Sequence, residues 1–145
     1  MREKEIKSSP CHYWLLKSEP EEWSWQDQVR AGTAVWDGVR NYQARNNLMA
    51  MKLGDQAFFY HSGSERSIVG IVEVVKAAYP DPADSQQKFF NINVKAVKGL
   101  PCPVRLERLK AEPNLASLPL IRQPRLSVMP LEEEVWHFIC ILGGL

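Results

Sequence analysis

Two strings carry residue types that bind a flat polar ligand. The first is Trp14-Leu15-Leu16-Lys17-Ser18-Glu19-Pro20, followed by Trp23-Ser24-Trp25; the second runs from Trp36-Asp37-Gly38 through Arg40-Asn41-Tyr42 to Arg45-Asn46-Asn47. Four of the five tryptophans fall in this first quarter, among Lys, Arg, Asn and Ser rather than among aliphatic residues. Aromatic walls with fixed donors and acceptors suit a pocket that stacks a heterocycle and hydrogen-bonds its edge. Lys17-Ser18-Glu19-Pro20 reads as a strand ending in a proline-fixed turn, where Ser18 either offers its hydroxyl to a ligand or caps a helix. Trp36 precedes an Asp-Gly turn and stands either at a cavity rim or as a core anchor. Asn41, Arg45, Asn46 and Asn47 give an amide-rich helix start, and an amide pairs a donor with an acceptor as the edge of a base requires. On Phe58-Phe59-Tyr60-His61-Ser62, Tyr60 and Ser62 share one face and His61 the other, with His61 either structural or in contact with ligand.

Catalytic templates are missing from the sequence. It has no Gly-rich phosphate loop, no G-x-S-x-G elbow and no histidine pair at metal spacing. Asp37 and Glu73 are conceivable acid–base partners, but nothing in the sequence brings them together. Cysteines 11, 102 and 140 and histidines 12, 61 and 137 are scattered, which argues against a disulfide framework or a zinc site. We expect no cofactor and a reducing, cytoplasmic compartment. No apolar run approaches the ~18 residues of a membrane helix. The formal charge of +1 excludes a broadly basic, non-specific nucleic-acid binder. Cations do cluster locally: Arg40, Arg45 and Lys52 without an acid over 38–52, and five against two acids over 99–129.

These residues need elements to hold them. The pattern predicts strands over 13–17, 33–36, 56–61, 67–77, 89–97 and 125–129. A helix opens at Ser24 with a capping-box Asp27 and stops at Gly32; a second covers 40–51, and a helical stripe runs over 131–142. Residues 79–87 read as a loop, 104–109 as a strand running into a short helix, and 114–123 as turns or a loose helix. Residues 1–12 read as a frayed tail and 13–145 as one domain. The fold class expected is α+β, a mixed β-barrel with flanking short helices.

The sequence resembles the EVE domain family. The likeness rests on residues 13–20, 36–47, 58–62 and 68–74, on Ala78-Tyr79-Pro80-Asp81, and on Arg125-Leu126-Ser127-Val128, in the family's order over about residues 13 to 142. The resemblance implies a PUA-like barrel, related to the YTH and ASCH domains. It also implies a non-catalytic reader of modified bases, either 5-methylcytosine-type bases in DNA or modified RNA. The pocket is then expected at Lys17, Ser18, Trp36, Asn41, Tyr60, His61, Ser62, Arg125 and Ser127, with Arg40 and Arg45 on phosphates. Phe89-Phe90 stands where many relatives carry a Trp, a departure that bears on ligand preference if that aromatic lines the pocket. Two other classes stay open: an enzyme acting on nucleic acid or nucleotides, and a module binding a small ligand or protein.

Overall fold

The computed structural model describes residues 12–145. Six strands form one mixed sheet: β1 (Tyr13–Ser18), β2 (Thr33–Trp36), β3 (Gln56–His61), β4 (Ser67–Pro80), β5 (Phe90–Arg105) and β6 (Val128–Leu131), in the order β2-β5-β4-β3-β1-β6. Every neighbouring pair is antiparallel except β1 and β3, which run parallel from Tyr13 opposite Gln56 to Ser18 opposite His61. Strands covered on both faces lose the polar alternation, and both members of this pair do: Trp14, Leu15 and Leu16 are all buried, as are Ala57 to His61. Five short helices surround the sheet: α1 (Trp25–Ala31), α2 (Tyr42–Ala50), α3 (Leu106–Lys110), α4 (Pro119–Arg122) and α5 (Glu133–Leu142).

The class is α+β, as expected, but the hydrogen-bonded ladder does not close. β2 and β6 are its two edges, each only four residues long. Helix α2 packs against β4, β5 and β6. The tail expected over 1–12 lies outside the described residues up to residue 11. His12 is tethered, its backbone N–H donating to Asp55 Oδ1 at 3.1 Å.

Local signals explain the ends of the helices. Ser24 Oγ accepts from Asp27 N at 3.1 Å and Asp27 Oδ2 accepts from Ser24 N at 3.0 Å, so both halves of the capping box form. Gly32 ends α1 at φ +73°, where a side chain would be strained. The second helix starts later than expected, because Asn41 is its cap: its Oδ1 accepts from Ala44 N at 2.8 Å. At the C-terminus Trp136 of α5 stacks on Phe58 (centroids 3.9 Å apart) and Tyr13 (4.5 Å), clamping the last helix over β1 and β3.

The longest departure is the β4–β5 ribbon. The expected loop over 79–87 begins only after Pro80, and β5 runs on past 97 to Arg105. Irregularities in the register carry it through the breakers, with Gly70 opposite Gly99 and Ile68 opposite Val104. Between those pairs Pro101 and Pro103 have no N–H to give, and Cys102 N donates to Gly143 O at 3.0 Å instead. The paired glycines have a use. Trp25 lies over them, so that a Cβ on Gly70 would sit 2.6 Å from its ring. We therefore expect Gly70→Ala to destabilise the protein by ~1–3 kcal/mol through overpacking, read by urea unfolding; an unchanged midpoint would show that Trp25 relaxes freely.

Candidate functional site

A cleft of about 690 Å³ opens where β1 and β3 end, within the ~300–1,000 Å³ usual for small-ligand sites. The parallel pair delivers Lys17 and Ser18 from β1 and Ser62 just beyond β3 to its floor, and Ser127 enters just before β6. Backbone bonds weld these three segments together: Ser62 N donates to Ser18 O, and Lys17 N to Ser127 O, each at 2.9 Å. One wall is Trp36 with the Asp37-Gly38-Val39-Arg40 loop; the other is Glu19, Glu22 and Trp23. Gly38 turns the first of these at φ +80°, a left-handed backbone that glycine adopts freely.

The side chains are pre-set by bonds inside the protein. Ser18 Oγ donates to Trp23 O at 2.5 Å, so the hydroxyl faces a ligand as an acceptor. Trp23 Nε1 donates to Gln28 Oε1 at 2.9 Å, and the fully buried Gln28 reaches Gly32 O and Val94 O with its amide nitrogen. That wall is thus tied through α1 to β5. Trp36 is 7% exposed, its ring edge-on to Phe59 at 5.5 Å, so it serves as rim and core anchor together. Lys17 Nζ donates to Pro124 O at 2.7 Å, and partial burial pushes its pKa below the ordinary lysine value. Arg40 Nη2 pairs with the buried Asp81 at 3.1 Å. The Ala83 N–H, first of all, holds the Asp81 carboxyl below its usual range, with Arg40 adding to the effect against burial.

Of the residues expected to touch a ligand, the cleft is lined by Lys17, Ser18, Trp36, Ser62, Ser127 and Arg40. The others stand elsewhere. Asn41 caps α2. Tyr60 is 2% exposed beneath Lys17, with burial pushing its phenol pKa up. His61 Nε2 accepts from Trp25 N at 2.9 Å while Nδ1 bonds Glu65 at 3.0 Å, which occupies both ring nitrogens. Arg125 is exposed beside the cleft but outside its lining, and Arg45 lies on α2 against Lys88 O. Asn47 donates to Val128 O at 2.7 Å, fastening α2 to β6. Asp37 is in the cleft, whereas Glu73 sits on β4 opposite Gln56. Sequence reasoning counted Trp23 among the aromatic walls but assigned no role to Glu22 or Pro124; the capping box that begins one residue after Trp23 is the signal that fixed that wall.

The cleft therefore mixes two indoles, three hydroxyls, two cations (Lys17, Arg40) and three acids (Glu19, Glu22, Asp37). With acids outnumbering cations, the interior favours a neutral polar heterocycle over a phosphate. The family model for the EVE domain matches residues 12–142. The chain belongs to the EVE domain family. Thymocyte nuclear protein 1 of Mus musculus is 39% identical to this EVE domain, aligned over 90% of this chain and 73% of its own. A crystal structure of an Agrobacterium tumefaciens protein superposes with TM-score 0.90 at 47% identity, covering 93% of this chain and 94% of that one. Human THYN1 protein, solved in complex with 5-methylcytosine-containing DNA, has TM-score 0.83 and 35% identity over 92% of this EVE domain and 98% of its own chain.

Proposed function

We propose that this EVE domain is a non-catalytic reader of a modified nucleobase, a 5-methylcytosine-type base in DNA or a modified base in RNA. The observation that carries the reading is the human relative bound to 5-methylcytosine-containing DNA, joined to a cleft in this chain roomy enough to admit a base. The target base leaves its stack and enters between Trp23 and Trp36. Ser18, Ser62 and Ser127 meet its polar edge, with Lys17 as the donor to a ring carbonyl. Arg40 and Arg125 at the cleft and Arg45 beyond it face adjacent phosphates. Asn41, Tyr60 and His61 act from behind, holding the walls and floor. The same reading takes 13–145 as one domain of PUA-like barrel type and a cytoplasmic compartment, the last supported only by the free thiols of Cys102 and Cys140.

Magnitudes favour selectivity over raw affinity. Stacking contributes ~1–3 kcal/mol per base, and extruding a base from a duplex costs a few kcal/mol, about the same size. Unmodified duplex is thus expected to bind weakly, with the modified base supplying the difference. The test is a titration of single- and double-stranded oligonucleotides carrying cytosine, 5-methylcytosine, 5-hydroxymethylcytosine or N6-methyladenine at two salt concentrations. A preference for one modified base that persists at the higher salt is the expected result, because pocket contacts are screened less than phosphate contacts. Equal affinity for all, falling together with salt, would reduce the domain to a backbone binder.

A further inference from the structure

From Arg40 at the cleft rim, a row of two stacked rings between two guanidinium groups leads away from the cleft. The Arg40 guanidinium lies 4.9 Å from the Phe89 ring centroid, Phe89 stacks on Tyr42 (5.4 Å, 21° between planes), and Arg45 lies 4.8 Å from the Tyr42 centroid. Both ends are pinned. Asp84 Oδ2 accepts from Lys88 N and Phe89 N at 2.7 and 2.9 Å, fixing the loop that carries Phe89. Arg45 Nη1 donates to Lys88 O at 2.9 Å, and its other nitrogens donate to Asn46 Oδ1. Among the described residues every hydrogen-bond partner of Arg45 is neutral, so its charge is held in place without a counter-ion, unlike that of Arg40. Tyr42 remains 54% exposed despite its contacts with Phe89 and Arg45. Simple packing of α2 on the loop would bury that ring or pair that charge.

We infer that Tyr42, Phe89 and Arg45 form a second subsite, which takes the nucleotide next to the one in the cleft. Its base or sugar packs against the exposed part of Tyr42 and its phosphate meets Arg45, with Arg40 as the shared post between subsite and cleft. An exposed ring beside a preset, uncompensated guanidinium is the pairing that single-strand binders use to track a chain without reading its sequence. The inference rests on the base-reading function of the cleft and adds a flanking contact to it. Phe89 here supports Tyr42 from behind, and it is not part of the cleft lining.

The experiment compares 5-methyl-2′-deoxycytidine, which fills only the cleft, with a single-stranded oligonucleotide carrying one 5-methylcytosine. Tyr42→Ala is expected to weaken oligonucleotide binding by about tenfold or more, the scale of one base–aromatic stack, and to leave the nucleoside unaffected. Tyr42→Phe should retain wild-type binding of both. Arg45→Gln should lower the slope of log affinity against log salt by about 0.7, the loss of one single-strand phosphate contact. Wild-type oligonucleotide binding with an unchanged Tyr42→Ala overturns the subsite alone. Equal losses on both probes would also overturn it, reducing Tyr42 to support for the cleft. Wild type that binds neither probe overturns the cleft reading and the subsite together.

Discussion

Trp36→Ala should abolish discrimination between modified and unmodified bases and also weaken the fold by ~3–5 kcal/mol, the usual cost of emptying a buried aromatic site. Both effects are expected because the ring does two jobs. It lines the cleft while 93% of its surface is covered, with Phe59 packed against the ring at 5.5 Å. Trp36→Phe separates them. Phenylalanine keeps much of the packing but presents a smaller face and no indole N–H, so stability should fall far less than base preference. Urea unfolding and the oligonucleotide titration, run on both variants, make the comparison. A Trp36→Phe protein that discriminates as wild type does would shift the stacking role to Trp23.

Asp55→Ala should be comparably costly and functionally silent. This buried carboxylate accepts three hydrogen bonds, from His12 N (3.1 Å), the Trp14 indole (2.9 Å) and Lys52 N (2.9 Å). The buried Trp14 indole left without an acceptor costs ~1–3 kcal/mol, and each of the two part-buried N–H bonds adds ~0.5–1.5 kcal/mol, so a loss of at least ~2 kcal/mol is expected in urea unfolding. The site of damage is the start of β1, at the far end of the strand from Ser18. Base preference measured on the folded fraction should therefore be unchanged. Altered preference would mean that strain at Asp55 is transmitted along β1 to the cleft floor.

Much of this was legible in the sequence, for identifiable reasons. The capping box at Ser24 and Asp27 and the stop at Gly32 are local chemistry, and α1 follows them residue for residue. The run Ala57-Phe58-Phe59-Tyr60 reads as a strand from its aromatic residues, and β3 covers 56–61 as expected. Errors arose where distant partners override a local signal. Gly99, Pro101 and Pro103 argue for the end of β5, yet β4 and the backbone of Gly143 accept what the ladder loses. Ser127 enters the cleft from a loop, because β6 starts at Val128, three residues after the strand expected from 125.

The site was half legible for a related reason. Residue type announces that Asn41, Asn47 and His61 are able to bind a base edge, but not whether the protein has already used those groups. All three are engaged, by Ala44 N, Val128 O and Trp25 N. The backbone register that welds Ser18 to Ser62 and Lys17 to Ser127 is invisible before the sheet order is known. Lys17, Ser62 and Ser127 came from family resemblance rather than from spacing, and they are the residues that this register gathers.

The pairing of the first strand with the last has a consequence for how the domain comes into being. β1 cannot acquire its second partner until β6 exists, and the floor of the cleft lies across that junction, from Lys17 to Ser127. Contacts this distant in sequence form late, after loop entropy has been overcome by the β3–β4–β5 meander. A nascent chain still lacking residues 124–131 would hold the indoles and Ser18 without the wall that closes on them. Competence to bind is in this way a late property of folding, acquired when the first and last strands meet and withheld from every shorter intermediate.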